Sequence, residues 1–123
     1  MKKIALLSVF PLLIGGVVNC FAESSTGKSQ KILIAYFSWS GNTKIAAQEI
    51  QKSVGGTLFE IKTAKAYPKD YQECIDVAKK EKEENARPKL SSKIKDINSY
   101  DVIFVGYPNW WGTIPMPISS FLE

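Results

Sequence analysis

Four short polar side chains, Ser38, Ser40, Asn42 and Thr43, surround Gly41 in the hexapeptide SWSGNT. They follow the apolar run KILIAYF, which starts at Lys31, and lead into the helical pattern IAAQEIQKSV. A turn between a strand and a helix faces backbone N–H groups that have no partner and the positive end of the helix dipole, which together attract anions. Gly41 lets the backbone approach closely or take a positive φ. The hydroxyls and the amide add donors without bulk, so the segment suits a phosphate neutralised mainly by hydrogen bonds. Lys44 either adds charge or points into solvent. The turn is neither GxxxxGK[ST] nor GxGxxG, which removes most support for ATP hydrolysis. A plainer reading also exists, in which Asn42 or Thr43 caps the helix and the serines fill a turn.

A second segment, YPNWWG, comes after the apolar run DVIFV. Trp110 and Trp111 are adjacent in a loop bounded by Pro108 and Gly112, and neighbouring side chains in an extended stretch point different ways. One ring can join a core; the other is expected to meet a ligand or a partner. An aromatic surface beside a phosphate turn suits a flat heterocycle joined to a phosphate.

Elements must bring the two segments together. KILIAYF is nearly continuous in apolar residues, as in a parallel strand buried on both faces. In the helical pattern after the turn, Ala46, Ile50 and Val54 recur every four residues with Ala47 beside them, and Gly55-Gly56 marks the stop. TLFEI reads as a second strand. A second helix is expected with Tyr71, Cys74, Ile75 and Ala78 on one stripe and a solvated charged face, ending before Pro88. VIFVGY gives a third strand. Alternating strands and helices imply a parallel sheet, whose ligands sit outside the carboxyl ends of the strands, where both segments fall.

Composition narrows the function classes. Histidine is absent, which excludes Ser-His-Asp and Cys-His catalysis and histidine zinc sites within this chain. No catalytic side chain and no metal site is expected; any chemistry is carried by a bound group. The 123 residues, 45% hydrophobic and 23% charged, fit one domain. MKKIALLSVFPLLIGGVVNCFA has the two-lysine start, apolar middle and small final residue of a secretory signal peptide over residues 1–22. The alternative is lipidation of Cys20, against which Asn19 argues; only then would the chain be membrane-bound. Residues 23–30 read as a linker and residues 31–123 as the domain. Beyond the leader 14 basic residues face 12 acidic ones, a net charge of +2, too small to argue for nucleic acid. Cys74 is then the sole cysteine, expected in the core.

The pair SWSGNT after KILIAYF and GYPNWWGTIP after DVIFV resembles the flavodoxin-like proteins, in particular the branch with tryptophans after the third strand. The resemblance spans residues 31–123, with small departures at Ala35 and Gln51. It implies an α/β fold of three layers, α/β/α, around a parallel sheet, and FMN as the cofactor. By position, Ser38, Ser40, Gly41, Asn42 and Thr43 correspond to the phosphate loop, and Pro108, Asn109, Trp110, Trp111 and Gly112 to the loop beside the isoalloxazine. A full flavodoxin-like sheet has the order 2-1-3-4-5. This chain is expected to supply only 2-1-3, with strands 4 and 5 missing and the edge of the third strand exposed.

The resemblance implies an FMN-binding redox protein, an exported oxidoreductase or electron-transfer protein of the periplasm or cell envelope, with an unknown redox partner or small-molecule acceptor. The alternative is a truncated, non-redox module that holds another phosphorylated ligand and contacts a protein through Trp110 and Trp111.

Overall fold

Leu33, Ile34, Ala35, Tyr36 and Phe37 are all buried, and β1 (Ile32–Tyr36) accordingly forms the centre of the sheet. The computed structural model describes residues 27–123; the leader expected at residues 1–22 and the first part of the linker lie outside the described residues. Two parallel neighbours flank β1, giving the order β2-β1-β3 with β2 at Thr57–Glu60 and β3 at Val102–Gly106. Leu33 stands opposite Thr57 on one side and Ile103 on the other.

Strand alternation then separates two apolar layers. Leu33, Ala35 and Phe37 pack with Ile61 and with Ile118 of α3 (Met116–Leu122). Ile34 and Tyr36 pack with Ala47 of α1 (Asn42–Val54) on the opposite face. The helix α2 (Tyr71–Glu83) lies against α3, which completes an α/β/α arrangement.

Local chemistry places the boundaries. Gly55, at φ 72°, ends α1 and donates its N–H to the Gln51 carbonyl at 2.8 Å. At Gly56, φ 96°, a Cβ would stand 2.6 Å from the Ile32 carbonyl oxygen, so only glycine lets β2 run so close to β1. The Asp70 carboxylate caps α2 by accepting from the Glu73 N–H at 2.9 Å. Lys79 and Lys80 reach Glu83 and Glu84 on the solvated side, both at 3.9 Å.

Two details differ from the pattern read in the sequence. Among the expected apolar positions of α1, Ala47 is buried and Ile50 half-buried, whereas Ala46 and Val54 are exposed. The helix lies on the sheet along a narrow line, and no second helix flanks it on that face among the described residues. Likewise Tyr71, on the expected apolar stripe of α2, is 68% exposed. On β3, Ile103 and Phe104 are also partly exposed, because among the described residues no strand pairs with its outer edge.

Candidate functional site

β1 and β3 are adjacent and parallel, so the loops leaving their carboxyl ends start side by side. The Phe37 N–H donates to the Gly106 carbonyl at 2.9 Å and carries the pairing to the last residue before the turn. A Cβ on Gly106 would lie 3.4 Å from both Thr43 Cγ2 and Tyr36 Cβ. The absence of a side chain there brings the start of α1 against the end of β3.

Gly41 is the N-cap residue of α1, in the left-handed region at φ 97°, and its N–H donates to Ser38 Oγ at 3.1 Å. The first helical bond runs from the Ile45 N–H to the Gly41 carbonyl at 3.1 Å. No side chain caps this end, and its first turn contains no acid. The helix-cap reading of Asn42 or Thr43 is therefore not what forms: both lie inside the first turn, beyond the capping position. α2 shows the contrast, since Asp70 fills that position there. The first amides of α1 thus stand at the positive helix end with no capping side chain and no acid in the first turn, and Ser40 and Thr43 lie beside them in the chain.

The loop after β3 is a tight turn. Trp110 and Thr113 exchange two backbone hydrogen bonds of 3.0 Å, with Trp111 at φ 51° and Gly112 at φ 73° between them. A tryptophan in the left-handed region is uncommon, and its contacts explain it. The Trp111 indole N–H donates to the Ile75 carbonyl at 3.3 Å, Lys82 Nζ donates to the Trp111 carbonyl at 2.7 Å, and Lys79 Nζ lies 5.8 Å from the ring centre. α2 thus holds Trp111 by three contacts. The Trp110 ring packs edge-on against Phe37 and Tyr67, both at 5.2 Å. One tryptophan joins a core cluster, as expected, and the other lies against α2 while remaining 46% exposed.

Both tryptophans line a cleft of about 430 Å³. Pro108, Asn109, Trp110 and Trp111 form one wall; Trp39 with Tyr71, Cys74, Ile75 and Ala78 of α2 forms the other. Among the described residues no charged side chain lines it. The volume and the aromatic lining suit one planar ring system. Trp39 belongs to the turn before α1, so one residue of that turn also lines the cleft; its indole N–H donates to the Pro68 carbonyl at 2.9 Å. Burial pushes the Cys74 thiol above its ordinary value, helped by the nearby Glu81 carboxylate. It is a wall residue whose buried thiol disfavours the thiolate form.

Ser38, Gly41 and Thr43 are half-buried, and Ser40 and Asn42 exposed, around the helix start. Pro108 and Asn109 face the cleft, whereas Gly112 shapes the turn and is not among the lining residues. Trp39 and the α2 stripe went unassigned in the sequence. The stripe of Tyr71, Cys74, Ile75 and Ala78 was itself a signal, but a helix face that walls a cleft has the same periodicity as one that enters a core.

The family model described as flavodoxin matches residues 31–123. No curated protein matches the sequence significantly. Among solved structures, a candidate flavoprotein from Bacteroides eggerthii DSM 20697 is 39% identical with a TM-score of 0.70, over 76% of this chain and 62% of that one. A flavoprotein from Lactobacillus acidophilus NCFM, solved in complex with FMN, is 33% identical with a TM-score of 0.70, over 76% of this chain and 64% of that one. A candidate flavoprotein from Bacteroides uniformis ATCC 8492 is 36% identical with a TM-score of 0.66, over 78% and 64%. The chain spans less than two thirds of the length of each of these proteins.

Proposed function

Given that this chain belongs to the flavodoxin family, we propose that it binds FMN and serves as an exported redox protein, an oxidoreductase or an electron carrier. The observation that carries the reading is a residue shared by two features. Trp39 stands in the turn that leads into a helix start with no capping side chain and no acid, and its ring lines an aromatic cleft of about 430 Å³ that no charged residue lines among the described residues. A flat heterocycle linked to a phosphate needs that combination. The FMN complex of the Lactobacillus acidophilus relative supports the choice of ligand.

The residues fit FMN as follows. The amides and side chains of Ser38, Ser40, Gly41, Asn42 and Thr43 hold the phosphate, with the helix dipole aiding an anion that no lysine needs to neutralise. Pro108, Asn109, Trp110, Trp111 and Gly112 make the loop beside the ring system. When bound, the isoalloxazine supplies reversible electron acceptance. Trp110 and Trp39 exclude water from the ring, and the backbone of the loop orients it. With no histidine in the chain, no side chain is assigned a proton-transfer step. Export is proposed from the leader pattern of residues 1–22.

The test is a titration of FMN with the protein, followed by quenching of flavin fluorescence, beside a parallel titration of riboflavin. Thr43→Ala is expected to weaken FMN about tenfold, the loss of one or two charge-assisted hydrogen bonds, and to leave riboflavin unchanged. A protein that stays colourless and quenches neither flavin would instead favour the non-redox module.

A further inference from the structure

Resting on the flavin reading above, we propose that Glu81 is a positioning residue for the loop after β3: through the Tyr67 hydroxyl it sets the ring that orients Trp110, so a carboxylate outside the cleft tunes flavin affinity.

The chain of contacts is short. Tyr67 Oη donates to Glu81 Oε2 at 2.5 Å. The Tyr67 ring meets Trp110 edge-on, at 84° and 5.2 Å between centres, and Phe37 at 66° and 5.7 Å. Phe37 in turn meets Trp110 at 87° and 5.2 Å. Among the described residues the Trp110 indole N–H has no acceptor, so its ring is held by packing, in which the two neighbouring rings meet it edge-on. Phe37 is fixed by the sheet and 4% exposed. Tyr67 lies in the loop after β2, and the bond from its hydroxyl to Glu81 is the polar contact that adds to its packing against the two rings.

Glu81 does not line the cleft. It borders a separate cavity of about 530 Å³ beside α2, together with Lys65 and Tyr67 from the loop after β2, Glu73 from α2 and Lys89 from the segment after α2. Cys74 is the remaining titratable group beside it. No ion pair joins Glu81 to either lysine among the described residues. Burial raises Glu81 above the usual carboxylate range, and the bond from Tyr67 only partly opposes this. Burial and the Glu81 carboxylate raise Tyr67 well beyond the normal phenol range, so it remains a donor at every working pH. Above the Glu81 value the bond is charge-assisted; below it the acceptor is neutral and the bond weaker.

The experiment compares the full chain with Glu81→Gln and Tyr67→Phe, reading FMN affinity by fluorescence quenching from pH 8 down to pH 4. Gln keeps an acceptor without charge, and Phe keeps the ring without the hydroxyl. At pH 8 Glu81→Gln is expected to bind about fivefold more weakly, the difference between a charge-assisted and a neutral hydrogen bond, and Tyr67→Phe, which loses the bond altogether, at least as weakly. The ratio of variant to parent should fall toward unity as Glu81 takes up its proton. The phosphate's own ionisation near pH 6 affects all three proteins and cancels in that ratio. Ratios within twofold at pH 8, or a ratio that does not change with pH, would overturn the proposal; if one variant fails to fold, the other gives the same reading. Near-UV circular dichroism without FMN separates this inference from the flavin reading. A parent that binds no flavin yet shows an acid-dependent tryptophan signal, absent in both variants, supports the positioning role alone. A signal that does not change with pH in the parent rejects it.

Discussion

At the scale of single residues, exposure and not residue type decides what Cys74 and the two tryptophans do. Cys74 is 4% exposed and lines an aromatic wall, with a thiol held above its ordinary value by burial. Iodoacetamide at pH 8 is expected to label it slowly, at least tenfold below the rate in denaturant, and bound FMN should slow it further; mass spectrometry of the alkylated chain measures this. The types Ser, Gly, Asn and Thr in SWSGNT were informative in the sequence because few backbone settings need all of them. The roles of Trp110 and Trp111 were not, since adjacent identical residues differ only in what the fold sets against them. The contacts with Phe37 and Tyr67 distinguish one, and the hold by α2 distinguishes the other.

Among the elements, the two longer helices differ at their starts in a way that bears on function. Asp70 caps α2, and nothing caps α1. An acid added to the first turn of α1 should therefore help the fold and harm the site. Asn42→Asp is expected to stabilise the chain in urea by about 0.5 kcal/mol through the helix dipole. The same change should weaken FMN more than tenfold by repelling its phosphate and leave riboflavin unaffected. A variant that gains stability and keeps its FMN affinity would move the phosphate away from this helix. Gly56 makes a separate test of the sheet. Gly56→Ala puts a methyl group against the Ile32 carbonyl in a left-handed backbone, and should cost ~2 kcal/mol or more in chemical denaturation without touching the loops.

For the whole molecule, the sign of the pH dependence follows from Glu81. Its folded value lies above the unfolded one, so the folded state holds the proton more tightly. The stability this contributes is present below the unfolded value and is lost as pH rises through the folded value. Glu81→Gln should accordingly be more stable than the parent by a margin that grows from pH 4 to pH 7, measured by thermal unfolding; a margin that shrinks would contradict the burial of this carboxylate. The ionised Glu81 that is proposed to sharpen the site thus costs the fold stability. The sequence by itself determined the order of the elements, the parallel sheet and the two loops at its carboxyl edge. Apolar runs, helical periodicity and turn residues are local signals, and parallel pairing follows from their alternation. That α2 walls the cleft, that Trp39 of the turn before α1 also lines it and that Tyr67 stands between Glu81 and Trp110 emerged only with the folded chain. Those depend on side chains tens of residues apart meeting in space, and a helical stripe reads the same whether a core or a ligand covers it.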